Sequence, residues 1–154
     1  MILLVHLLLG AAIGHTVKNV PLAIILALLS HYLLDLIPHI DYPIKNEGKN
    51  QWQRTTLNIP GISLDLFAGI VLVLIFSNNQ PIIYLCAFFA LLPDGFTVLN
   101  FIFSGNKFLE AHYNLHQKIH FLKQTPSGQI KISNFWRFAT QIAVVIISIM
   151  LLKS

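Results

Sequence analysis

Charge is what this chain has least of. Only 10% of its 154 residues are Asp, Glu, Lys or Arg, whereas 55% are hydrophobic. A soluble domain carries about a quarter charged residues, so the deficit excludes an ordinary soluble composition and points to a membrane protein of one domain, residues 1–154. Cysteine is almost missing as well. Cys86 alone permits neither an internal disulfide nor a cysteine-based zinc motif, and in its apolar stretch it reads as a packing residue. The Lys and Arg residues are scattered, with no basic run interleaved with aromatics, which argues against nucleic acid as a partner. A Gly-rich phosphate loop and a G-x-S-x-G elbow are both absent, so those chemistries have no support. The apolar start Met1–Gly14 has no leading Lys or Arg and is interrupted by His6; it is read as part of the folded chain rather than a cleaved leader.

What is present is a series of five apolar segments, Ile2–Val17, Pro21–Ile37, Gly61–Phe76, Pro81–Phe103 and Phe135–Leu152. A bilayer span needs about 20 apolar residues, so the first three are short and imply a thin or pinched membrane region. Tight links at Lys18–Val20 and Ser77–Gln80 read as helical hairpins, and Gly10 and Gly14 offer a place for close helix approach. The fold expected is all-α: a multi-pass membrane bundle of about five short helices, with an interfacial histidine-bearing helix over about 106–123 and a last span over about 135–152. Lys45, Lys49, Arg54, Lys107, Lys118, Lys123 and Lys131 lie in the two long polar stretches, against Lys18 and Lys153 on the other side. The positive-inside rule then places both stretches in the cytoplasm and the chain in the plasma (inner) membrane, with the lipid bilayer as its partner.

The polar residues inside these segments recur. At an offset of 59, His6 meets Asp65, Gly10 meets Gly69 and Asp35 meets Asp94, which suggests two repeated hairpins over 6–41 and 65–100. Starts of odd helices and ends of even ones share a side, so His6, Asp35, Asp65 and Asp94 are expected at similar depth. A lone carboxylate in hydrocarbon costs several kcal/mol, and such groups pair, face water or bind a cation. Helix-end capping accounts for Asp65, near a helix start, but not for Asp35 and Asp94, near C-termini where an acid is disfavoured.

Two histidine clusters accompany the acids. His31 and Asp35 are four apart and share a helix face; Pro38 ends that helix, which leaves His39 and Asp41 in the exit loop. His112, His116 and His120 stack along one stripe of a helix, and a pair of histidines four apart can grip one metal ion. His6, Asp35, Asp65, Asp94, His112 and His116 are therefore the candidate metal ligands, with His39 and His120 around them. Asp41 and His31 are candidate proton shuttles. His15 lies nine residues beyond His6, about 13 Å deeper at 1.5 Å per residue, and is not expected in the site. Trp52, Tyr84 and Trp136 read as interfacial or packing aromatics. Mixed Asp and His ligands favour zinc, then manganese or iron, over calcium or copper, and one metal or two sharing a carboxylate would fit the number of ligands.

The segments Ser30–Asp41 (S-H-x-x-x-D-x-x-P-H-x-D), Leu91–Asp94 (L-L-P-D) and His112–His120 resemble the YdjM-like family of inner-membrane, metal-dependent hydrolases. The resemblance covers most of residues 6–120 and implies that His31, Asp35, Asp94, His112 and His116 belong to the site. Here Leu-Pro-Asp is followed by Gly95 and Phe96, where the family pattern has a further Asp and His. The function expected is hydrolysis of an amphiphilic or lipid-linked ester or phosphoester. The rivals are a small ion or metal transporter, which needs a polar path to the far side, and a non-catalytic protein that metal holds together.

Overall fold

The computed structural model describes residues 2–40, 51–103, 105–121 and 133–154, with the side chains of 51–58 and 120–121 excepted. Among these residues the chain is all-helical: α1 (Leu3–Thr16), α2 (Val20–Leu36), α3 (Gln51–Phe76), α4 (Pro81–Ile102), α5 (Lys107–Phe121) and α6 (Asn134–Lys153). Local chemistry sets most of the boundaries. Asn19 caps α2 by accepting from Leu22 N at 3.0 Å, with Pro21 in the first turn. α2 stops at Leu36, just ahead of Pro38, and Asn106 caps α5 through Phe108 N at 3.0 Å. Between α4 and α5, Gly105 takes φ +98°, a conformation open to glycine and costly for other residues, so the chain can reverse there. One boundary departs from expectation. α3 begins at Gln51 rather than near Gly61, and Pro60 lies inside it, although a proline has no N–H to give the carbonyl four residues back.

α3 over Ile59–Phe76, α4 and α6 are long and apolar enough to cross a membrane; α1 and α2 are shorter apolar helices. The surface agrees with a lipid setting. Leu22, Ile25, Leu29 and Leu33 on α2, Leu64 and Phe67 on α3, and Ile146 and Met150 on α6 are all exposed. Contiguous apolar surface on this scale is foreign to a soluble monomer.

α1 is the central helix. It packs on α4, α6, α2 and α3, and buries Val5, Leu8, Ala11 and Ala12 completely. Its glycines allow the closest of these contacts. A Cβ on Gly10 would fall 2.5 Å from Ala90 Cβ and 2.7 Å from Cys86 O, and one on Gly14 would fall 2.8 Å from Ile82 O. Cys86 is accordingly buried packing, and the close approach joins α1 to α4 rather than to its hairpin neighbour.

The two expected hairpins are not alike. α1 and α2 pack together, whereas α3 packs on α1 and scarcely touches α4. Between α3 and α4 lies an apolar cavity of about 210 Å³, lined in part by Leu7, Leu66, Ile70, Phe88 and Leu91. At the far end of the bundle Lys153 Nζ stands 4.8 Å from the centre of the Phe76 ring. At the opposite end α6 holds the exit of α2, where Thr140 Oγ1 donates to Pro38 O at 2.6 Å and Gln141 Nε2 to Ile40 O at 2.8 Å.

Candidate metal centre

That second end collects the polar side chains. α1 contributes His6, α2 contributes His31 and Asp35 one turn apart, α4 contributes Asp94 directly after the mid-helix Pro93, and α5 lies across them with His116. Gly105 and the Asn106 cap direct α5 over the ends of α2 and α4. Leu109 and His116 point inward and are buried, while Phe108 and Leu115 are exposed on the outer face.

The core of the cluster is a triangle of donor atoms. His116 Nε2 lies 3.0 Å and His31 Nε2 3.2 Å from Asp35 Oδ2, and the two Nε2 atoms are 3.1 Å apart. His31, Asp35 and His116 are at most 3% exposed. The outer nitrogens decide which atoms carry protons. His31 Nδ1 is 2.8 Å from Ala90 O, which can only accept, so Nδ1 donates. Thr97 Oγ1 donates to Pro93 O at 3.2 Å, so its oxygen accepts from His116 Nδ1 at 3.0 Å. In the neutral rings both Nε2 atoms then carry lone pairs, and these face each other and a carboxylate oxygen in a dry place. One proton can lie along one edge of such a triangle; a cation at its centre serves all three. Histidine ligands commonly give the second N–H to a backbone carbonyl or another fixed oxygen, as both do here.

The spacing suits a small divalent ion. Bonds of about 2.0–2.1 Å at tetrahedral angles put ligand atoms about 3.3–3.4 Å apart, so edges of 3.0–3.2 Å need only slight opening. Asp94 Oδ1 stands 3.7 Å from His31 Nε2 and 3.8 Å from His116 Nε2, within reach of a fourth position. Its side chain is 29% exposed, which makes it the wet edge of an otherwise buried group. His6 Nε2 lies 3.4 Å from the other oxygen of Asp35, and its ring stacks on His31 with centroids 4.1 Å apart. Two sets, His31–Asp35–His116 and His6–His31–Asp94, hold donor atoms within 4.8 Å of one another and could each seat a metal.

Of the residues the sequence singles out, the structure thus brings together His6, His31, Asp35, Asp94 and His116. His31 stands among the potential ligands, with Nδ1 committed to Ala90 O, rather than apart as a free proton carrier. Asp65 is placed differently: its Oδ2 accepts from Leu4 N at 3.1 Å, so this acid caps the start of α1 from the neighbouring helix. His112 sits beside the cluster. Its Nε2 is 3.0 Å from Tyr32 OH and its ring lies edge-on to Phe96. Burial lowers its pKa below the usual histidine value, which keeps it neutral at pH 7. His39 Nδ1 donates to Ile37 O at 2.8 Å within its own turn. Asp41 and the side chain of His120 lie outside the described residues. His15 is at the opposite end of α1, half-buried, and belongs to neither metal-capable set. Sequence reading leaves Thr97, Tyr32 and Ala90 O unmarked; the one hint for Thr97 is its place three residues after Asp94 on the same helix face. No family model matches this chain, and neither a curated protein nor a solved structure is similar to it at a significant level.

Proposed function

We propose that this chain is a membrane-embedded, metal-dependent hydrolase acting on an amphiphilic or lipid-linked ester or phosphoester, with zinc as the favoured metal. The observation that carries this reading is the pair of histidine lone pairs facing a buried carboxylate, each ring fixed from behind by a hydrogen bond at Nδ1. His31, Asp35 and His116 hold the ion, and Asp94 completes the set from the exposed edge. A divalent metal there lowers the pKa of its bound water and polarises an acyl or phosphoryl oxygen. The resemblance to inner-membrane metal-dependent hydrolases favours the same chemistry.

The amphiphilic substrate follows from the setting. The apolar cavity between α3 and α4 is lined by Leu7 and Leu91, of which the first follows His6 in α1 and the second lies one turn before Asp94 in α4. A lipid tail can occupy that space while its head reaches the metal. Transport is the weaker reading, because beyond the cluster α1 and α4 close on each other at Gly10 and Gly14. The distribution of Lys and Arg orients the metal end toward the cytoplasm, in the plasma (inner) membrane.

The test is purification of the full chain in detergent, elemental analysis, and a screen of micellar carboxyl and phosphoesters. The reading expects bound zinc or manganese and a hydrolytic activity lost on chelation. It also expects His31→Ala and His116→Ala to lose both. Metal-free protein, or activity indifferent to both substitutions, would overturn it.

A further inference from the structure

Asp35 uses its two oxygens differently. Oδ2 completes the triangle with His31 and His116, whereas Oδ1 turns to His6, 3.4 Å from Nε2. His6 is 1% exposed, and neither of its ring nitrogens makes a hydrogen bond. Whichever nitrogen holds the proton, the other presents a lone pair in a dry interior. The separation from Oδ1 is long for a charge-assisted hydrogen bond, which runs about 2.7–2.9 Å. It matches the distance of about 3.3–3.4 Å between neighbouring ligands around a tetrahedral zinc ion. The donor atoms of His6, His31 and Asp94 also lie within 4.8 Å of one another, which brings the Asp94 carboxylate to the His6 side of the cluster. His6 stacks on His31 and thereby brings its edge alongside the first site.

From these contacts we infer a second divalent-cation position, held by His6 Nε2 and Asp35 Oδ1 with the Asp94 carboxylate beside it, and with Asp35 bridging the two ions. The inference rests on the metal-site reading above and extends it from one ion to two. Ions joined by a carboxylate bridge lie about 3.5–4 Å apart in hydrolytic two-metal sites, a span that clamps both the attacking and the leaving oxygen of a phosphoryl group. The pair therefore directs the substrate class toward phosphoesters of lipid-linked compounds, and each ion keeps positions that the protein does not fill.

The experiment is metal loading of the full-length protein in detergent micelles, stripped and then titrated with Mn2+. Stoichiometry is read by mass spectrometry and coupling by electron paramagnetic resonance. Wild type should bind two ions per chain and show an exchange-coupled spectrum. His6→Gln should bind one, with an uncoupled signal and an unchanged helical circular dichroism spectrum. His6→Cys, loaded with zinc, should return to two ions and so separate loss of a ligand from loss of fold. One uncoupled ion in wild type, unaffected by His6→Gln, would overturn the second position and leave the first intact. No bound ion in any form would overturn both.

Discussion

The α1–α2 and α3–α4 pairs carry related sequence patterns and put them to different uses. In the first pair the helices pack together, and His6, His31 and Asp35 are almost fully buried against one another. In the second the helices are held apart by an apolar cavity, Asp65 caps a neighbouring helix, and Asp94 stays partly exposed. The position 59 residues after His31 is Ala90, and its carbonyl is the acceptor that fixes the His31 ring. One pair thus supplies most of the donor atoms. The other supplies a backbone acceptor, one carboxylate at the rim and space beside it. An acid in an apolar helix is a signal of some partner, and the partner decides whether it serves a cation or a backbone N–H.

Substitutions at corresponding positions test this contrast. The largest effect is expected at Asp35, where Asp35→Asn removes the anionic partner of three buried histidines. It also leaves the proposed cation without its buried anionic partner, and breaking a buried charged pair of that kind costs about 3–5 kcal/mol. Thermal unfolding in detergent should register that loss, and bound metal should disappear, whereas Asp94→Asn should weaken metal binding with little change in unfolding. Next is Thr97→Val, which takes away the acceptor for His116 Nδ1 while keeping side-chain volume. Loss of such an outer hydrogen bond lowers metal affinity about 10–100-fold, which competition with a chromogenic chelator measures.

Overpacking at the α1–α4 contact should follow. Gly10→Ala forces a methyl group against Ala90 and Cys86 and should destabilise by about 1–3 kcal/mol. Gly69→Ala, at the corresponding place on α3, meets nothing closer than Leu4 Cα at 3.1 Å and should cost less. Equal effects would mean that the two pairs pack alike. The smallest effect belongs to Asp65→Ala, which removes a cap worth about 0.5–2 kcal/mol and should leave metal content unchanged. Metal loss from that variant would return Asp65 to the ligand set.

Much of this architecture is legible in the sequence because prolines and capping residues punctuate it. Asn19, Pro21, Pro38 and Pro81 each stand within two residues of a helix end. The start of α3 is not legible, since a polar stretch ending in Pro60 has the composition of a loop, yet the helix runs through it. In the site, His6, His31, Asp35, Asp94 and His116 stand out because polar side chains in apolar helices need partners. The role of Asp65 does not, because its partner is a backbone N–H on another helix and leaves no trace in residue identity. Ala90 O escapes for the same reason. His112 and His116 look equivalent as a pair four apart, yet one turn of α5 separates the ring on the carboxylate from the ring on Tyr32.

The central claim, a cation held by His31, Asp35 and His116, is tested most directly by zinc X-ray absorption on the full-length protein in micelles. The account expects a first shell of nitrogen and oxygen alone at about 2.0–2.1 Å, with the outer scattering of at least two imidazole rings. Loss of one ring's contribution in His116→Ala should accompany it. A sulfur shell at about 2.3 Å, which could arise only from Cys86 or a methionine, or a spectrum of hydrated zinc without imidazole scattering, would contradict it.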